Sequence, residues 1–156
     1  MDKAPLGLSI RPMTAEDVDS VLAMAAATPQ APHWPRAAYL TALDAQAAPR
    51  RIALVAECRS GIAAFAVASL VGAQTELESI VVAASLRRQG VARRLLAALV
   101  EELKRLGGAE LLLEVRASNQ PALELYGSCG FQPIALRSRY YIDPVEDAVL
   151  MKARLS

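Results

Sequence analysis

Histidine and cysteine are almost missing from this chain: 156 residues hold one histidine, His33, and two cysteines, Cys58 and Cys129. The cysteines lie far apart and outside any metal-ligand spacing, and a single histidine cannot complete an ordinary Cys/His zinc site. A Ser-His-Asp triad would have to use that same histidine, which sits in a proline-rich stretch. Metal and triad chemistry are therefore not expected. Excess charge is missing too. Seventeen basic and sixteen acidic residues leave a net charge of +1, whereas a general nucleic-acid binder carries a clear basic excess. No stretch reaches the ~18 uninterrupted apolar residues of a membrane span, and Met1-Asp2-Lys3-Ala4-Pro5 opens without an apolar signal core. The cytoplasm is the expected compartment, with no direct contact to nucleic acid or membrane, and a monomer is the expected state. Aromatic residues are few: one Trp, four Tyr and two Phe.

What is present is aliphatic. Hydrophobic residues make up 54% of the chain, which excludes a disordered one. The length suits one domain that needs no disulfide or metal staple. Alanine accounts for 31 residues; it favours helix and fills little volume, so Leu, Val and Ile must make the core. Leu8 to Arg11 alternates as a short strand. Thr14 and Asp17 resemble a capping box opening a helix from about Ala15 to Ala27. Thr28 to Pro35 carries three prolines and cannot be regular, and Pro35 suits the first turn of a second helix through about Ala45. Arg51 to Glu57 and Ile62 to Val71 flank Ser60-Gly61 as a hairpin, and Glu76 to Val82 follows as a third strand. Val91, Leu95, Leu96, Leu99, Val100, Leu103 and Leu106 form a helical stripe stopped by Gly107-Gly108, with Glu101 and Arg105 expected as an i,i+4 pair. Leu111 to Val115 reads as a strand, Pro121 to Ser128 as a helix, and Phe131 to Leu136 and Ala148 to Met151 as two more strands. The order β-α-α-β-β-β-α-β-α-β-β specifies an α/β (α+β) domain with a mixed sheet and right-handed crossovers.

The stretch Arg87-Arg88-Gln89-Gly90-Val91-Ala92-Arg93-Arg94 joins the third of the consecutive strands to the long helix. A helix N-terminus carries about half a positive charge and prefers acidic residues in its first turn. Here there is no acid, and four arginines flank the start. That is the wrong sign unless an anion completes it. Gly90 and Ala92 let a ligand approach the backbone N–H groups closely. A phosphate or pyrophosphate suits the site; a solvated basic turn is the plainer reading. It is neither a Walker A loop, since no Gly-Lys-Ser/Thr follows, nor a dinucleotide fingerprint, which needs three glycines.

Arg87-x-x-Gly90-x-Ala92, after a strand ending Ile80-Val81-Val82, resembles the acetyl-CoA pyrophosphate motif of the GCN5-related N-acetyltransferases (GNAT). Farther on stand Leu113-Glu114-Val115-Arg116-Ala117-Ser118-Asn119, Ala122-Leu123-Glu124-Leu125-Tyr126, Gly130-Phe131, Arg139-Tyr140-Tyr141 and Glu146-Asp147-Ala148-Val149-Leu150-Met151. This combination is similar to the RimI branch of that family, which acetylates the N-terminal alanine of a small-subunit ribosomal protein. The resemblance covers about residues 8–152 and implies one GNAT-type domain over 1–156. It implies acetyl-CoA as acetyl donor, no metal, and the N-terminus of a ribosomal protein as acceptor. Ile80, Val81 and Val82 would offer backbone groups to the pantetheine arm and thioester. Arg88, Gln89, Gly90, Val91, Ala92 and Arg93 would wrap the pyrophosphate, and Asn119 would contact the cofactor. Glu114 would be the general base, with Glu78 in reserve, and Tyr126 the general acid. Trp34, Arg139 and Tyr140 would line the acceptor groove. Two positions depart from the branch: Arg139 stands where an asparagine is usual, and Pro35 follows Trp34 where a serine is usual. They bear on the acceptor, so a small-molecule amine, a lysine side chain, or a non-catalytic acyl-CoA-binding module stays open.

The chemistry agrees with the resemblance. Acetyl transfer from a thioester needs a neutral amine, and an α-amine has pKa about 8 against about 10.4 for lysine, an advantage of roughly 3 kcal/mol in deprotonation. A modest base suffices. Glu114 interrupts an apolar run and Tyr126 carries a donor O–H. Each has a plain competitor: Glu114 as an edge-exposed ion-pair partner, Tyr126 as a core aromatic, Asn119 as a helix N-cap. Trp34 is more often a core anchor than a ligand, although the proline-rich loop around it is where a peptide would enter, and His33 reads as an exposed bystander. Glu76, on the strand of Glu78, could also supply a water-mediated base.

Overall fold

A computed structural model of the chain describes residues 7–142 and 144–155; the Met1–Pro5 opening lies outside them. Among the described residues seven strands and four helices follow one another as β1 (Ser9–Pro12), α1 (Val18–Ala26), α2 (Arg36–Ala42), β2 (Arg50–Cys58), β3 (Gly61–Val71), β4 (Gln74–Val82), α3 (Val91–Arg105), β5 (Glu110–Arg116), α4 (Gln120–Ser128), β6 (Gln132–Ile142) and β7 (Val145–Arg154). This is the expected order. The strands form one mixed sheet, β1-β2-β3-β4-β5-β7-β6. Only β4 and β5 run parallel, as a strand pair joined by a crossover helix must.

Alternation in β3 explains how both faces are covered. Ala64, Ala66 and Ala68 point to one face and are fully buried. Their small side chains admit α3, whose stripe Val91, Leu95, Leu96, Leu99 and Leu103 is buried against them. Phe65 and Val67 point to the other face and pack with Val18, Val21 and Ala25 of α1 and Tyr39 and Ala42 of α2. Each fully buried leucine of the stripe contributes about 2 kcal/mol of transfer free energy. Where α3 ends, a Cβ on Gly108 would stand 2.9 Å from Thr75 Cγ2 and 3.0 Å from the Leu103 carbonyl, so only glycine lets helix and sheet meet there.

The start of α1 is held electrostatically. Thr14 donates its backbone N–H to Asp17 Oδ2 at 2.8 Å, and Arg11 grips the same carboxylate at 2.7 and 2.9 Å. Some boundaries differ from expectation. The second helix stops at Ala42 instead of Ala45 because Leu43 and Asp44 turn back on its last carbonyls. The last hairpin is much longer than Phe131–Leu136 and Ala148–Met151, since β6 continues as an edge strand exposed nearly throughout. Glu101 and Arg105 do not pair; Lys104 takes Glu101 and Arg105 takes Glu102, both at i,i+3.

Candidate active site

The sheet opens where its parallel pair begins. Only Gln74, Thr75 and Glu76 pair with Glu110, Leu111 and Leu112. Beyond them β4 and β5 part, leaving Leu77–Val82 on one side and Leu113–Arg116 on the other. A bulge turns β4 at that point: Val67 faces Ser79 and Ala68 faces Leu77, so Glu78 is an extra residue with no partner on β3. Such a bulge bends its strand and re-aims its side chains. Ile80, Val81 and Val82 therefore line the opening from an edge that β5 does not occupy. The Val82 carbonyl is taken by Arg87 Nε at 3.1 Å.

The basic segment sits at the end of that opening. Gly90 caps α3 in the left-handed region at φ 81°, ψ 5°, and Val91 starts the helix directly. A left-handed residue followed by a helical one aims successive N–H groups into one concavity, an anion-binding nest. Gly90 carries no Cβ to obstruct it. Arg88 is also left-handed, at φ 63°, and Gln89 ties back to the Ser85 carbonyl at 3.3 Å. Arg87 reaches Thr28 Oγ1 at 3.3 Å, anchoring the loop to the end of α1. The Arg93 side chain turns away to Ser128 Oγ at 2.7 Å and Cys129 Sγ at 3.6 Å.

On the face covered by α1 and α2, three carboxylates gather at the opening. Glu114 lies on β5 past the last β4 pair, so it is not on an outer edge of the sheet. Its Oε2 is buried with no hydrogen-bond donor among the described residues, and Arg137 Nη1 stands 3.7 Å away. Burial holds the Glu76 carboxyl above its ordinary range, and the nearby charges of Glu114 and Glu78 push the same way against Arg137. Glu78 has both oxygens engaged by Arg51, at 2.7 and 3.2 Å. Arg116 faces the same way and lies 4.2 Å from the Tyr141 ring centroid. Burial raises the Tyr141 hydroxyl, with Glu114 acting in the same direction.

Tyr126 is 7% exposed and packs edge-on against Phe131 at 5.6 Å. Desolvation pushes its hydroxyl up to about 12. The residue is thus a core aromatic as well as a candidate donor. Asn119 caps α4, its Oδ1 accepting from the Ala122 N–H at 3.3 Å. Trp34 is half-buried, tilted on Tyr39 at 5.2 Å. Tyr140 is exposed and sits 5.1 Å from Tyr141. Arg139 is exposed in a left-handed backbone at φ 54°, its N–H held by Asp147 Oδ1 at 2.9 Å. That conformation explains why asparagine suits the position. His33 is exposed. Sequence reasoning missed Arg51 and Arg137, whose partners lie on other strands and leave no local pattern.

The acetyltransferase (GNAT) family model matches residues 18–131. A ribosomal protein bS18-alanine N-acetyltransferase of Escherichia coli (strain K12) is 43% identical over 97 residues. That match spans 61% of this chain and 66% of the relative, just under two-thirds of its length. A Bacillus subtilis (strain 168) relative provisionally named for the same activity is 32% identical over 92% of this chain and 93% of its own. The crystal structure of the ribosomal-protein-S18-alanine N-acetyltransferase from Escherichia coli superposes with a TM-score of 0.82 at 31% identity, covering 96% of this chain and 94% of that one. The parted parallel strands, the glycine nest that opens α3 and these matches agree, and the chain belongs to the acetyltransferase (GNAT) family.

Proposed function

We propose that this chain transfers the acetyl group of acetyl-CoA to the N-terminal α-amine of a ribosomal protein, with alanine as first residue. The observation that carries the reading is Glu114: a carboxylate at the mouth of the strand opening, with one buried oxygen that lacks a donor. An amine bound between the parted strands would meet this carboxylate. The cradle fits the donor molecule, because the Gly90 nest and the flanking arginines suit a pyrophosphate and the free β4 edge suits an extended amide-bearing arm. The relatives named for alanine N-acetylation support the choice of acceptor.

In this reading Glu114 accepts the proton of the amine, directly or through one water. The freed nitrogen attacks the thioester carbonyl, the C–S bond breaks while Tyr126 hydrogen-bonds the departing thiolate, and the extra proton on the new amide nitrogen passes to that sulfur, directly or through water. Glu114 lies on the face that α1 and α2 cover, its side chain 17% exposed beside Arg137.

Incubation with acetyl-CoA and a set of peptides differing in their first residue tests this. Peptides beginning with alanine should release thiol and gain one acetyl group on the α-amine, with Glu114→Gln lowering kcat/KM by about 10²–10⁴ at undiminished acetyl-CoA affinity. Turnover of a small amine or a lysine side chain, with none on any α-amine peptide, would remove the proposed acceptor.

A further inference from the structure

Arg51 joins two parts of the molecule that no backbone ladder connects. It pairs with Ser69 of β3 and points to the face of Ala53 and Val55, the side covered by α1 and α2. Its guanidinium crosses β3 to hold both oxygens of Glu78, the unpartnered residue of the β4 bulge. The same guanidinium lies 5.5 Å from the Trp34 ring centroid. Trp34 in turn rests on Tyr39, which stands edge-on to Phe65 at 6.1 Å. The side chains of Arg51 and Glu78 are only 21% and 20% exposed.

A pair this shielded from water is weak evidence for a contribution to stability, because desolvating both charges offsets most of their attraction. Its placement is more telling. One end is fixed at the bulge beside Glu76 and Glu114, and the other presses on the proline-rich segment Thr28–Pro35. Arginine is suited to both tasks, as its planar fork binds a carboxylate at two points and stacks on an aromatic ring. We propose that Arg51 is a positioning residue for the amine acceptor, clamping Trp34 to Glu78 so that the proline-rich segment forms a fixed wall of the acceptor groove. This rests on the site being an acetyl-transfer site, and not on the acceptor being an N-terminus.

Two variants separate a clamp from mere charge compensation. Arg51→Met leaves Glu78 unpaired, whereas Arg51→Met with Glu78→Leu removes both charges and spares the penalty of a lone buried one. If the single variant does not fold, the double variant carries the test. The KM values for acceptor and for acetyl-CoA are measured for each, together with acrylamide quenching of Trp34, which is the sole tryptophan. The clamp predicts that acceptor KM rises about five- to tenfold in both variants while acetyl-CoA KM stays within about twofold. Quenching of Trp34 should increase in both, and Arg51→Lys should recover part of each effect. A double variant with normal acceptor KM would show that Arg51 only neutralises Glu78, and equal rises in both KM values would show a general loss of structure. Either result overturns the proposal. Transfer to lysine or a small amine, with none to α-amine peptides, overturns only the acceptor proposed above, and the KM pair is then read with that amine.

Discussion

Replacing Tyr126 by phenylalanine removes one oxygen from a ring already packed against Phe131, so the core keeps its filling and the fold should hold. The size of the kinetic effect follows from the burial that raises the hydroxyl to about 12. An ordinary thiol has pKa about 8.5, so complete proton transfer from such a phenol to a thiolate runs uphill by about 5 kcal/mol. Tyr126 is therefore better suited to a strong hydrogen bond with the leaving sulfur than to full donation. A hydrogen bond to a charged group contributes about 1.5–3 kcal/mol, which corresponds to about 10- to 150-fold in rate. Initial rates of thiol release, with each substrate varied in turn, measure this directly. Tyr126→Phe should lower kcat within that range and leave acetyl-CoA KM within about twofold. The wild-type kcat should also show no descending limb from this phenol below about pH 11. A loss of 10⁴ or more would mean that the proton is fully transferred and that the reasoning from burial is wrong. A loss below threefold, or one matched by weaker acetyl-CoA binding, would remove Tyr126 from the leaving-group position.

Two further outcomes are expected. Gly90→Ala places a Cβ on a residue at φ 81°, a strain of about 1–2 kcal/mol, and should raise acetyl-CoA KM about tenfold with little change in acceptor KM; equal KM values in wild type and variant would argue against a nest at Gly90. Asp17 is lowered from 3.8 to about 2, chiefly by its hydrogen bonds from Arg11, so its folded form binds a proton less readily than its unfolded form. Its contribution, at most about 2 kcal/mol, is present above about pH 4 and lost as pH falls toward 2. Urea unfolding of wild type and Asp17→Asn should show a gap near pH 6 that closes by pH 2, and a gap constant with pH would contradict the linkage.

Much of the fold could be read in the chain because its elements bury one face each. The α3 stripe repeats at helical spacing and is buried where that spacing places it, and β3 alternates alanine with larger residues because two different helices press on its faces. The extension of β6 past Leu136 to Ile142 was not readable. Only β7 holds it, both its faces are wet, and Arg137-Ser138-Arg139 shows no alternation. The partner of Glu101 is hidden in the same way: the sequence offers both an i,i+3 and an i,i+4 choice, and rotamers decide for Lys104. The anion loop was legible from its sign alone, since four arginines at a helix start conflict with the dipole. The bulge at Glu78 left no trace in the residues around it. It depends on the register between β3 and β4, and with it went any view of Arg51.

Glu76, Glu78 and Glu114 share one face, and their surroundings separate the tasks they can perform, as unlike environments do for paired carboxylates elsewhere. Glu78 has each of its oxygens engaged by Arg51. Glu76 is held above its ordinary range by burial and by the charges of its two neighbours, and it lies within the stretch where β4 and β5 still pair. Glu114 combines an oxygen without a donor among the described residues with a position beyond the last β4–β5 pair. Arg137, at 3.7 Å, is too far for a good hydrogen bond yet close enough to offset the charge of its neighbours. The proposed base is thus singled out by position: Arg51 holds both oxygens of Glu78, Glu76 sits inside the paired stretch, and Glu114 stands just past it.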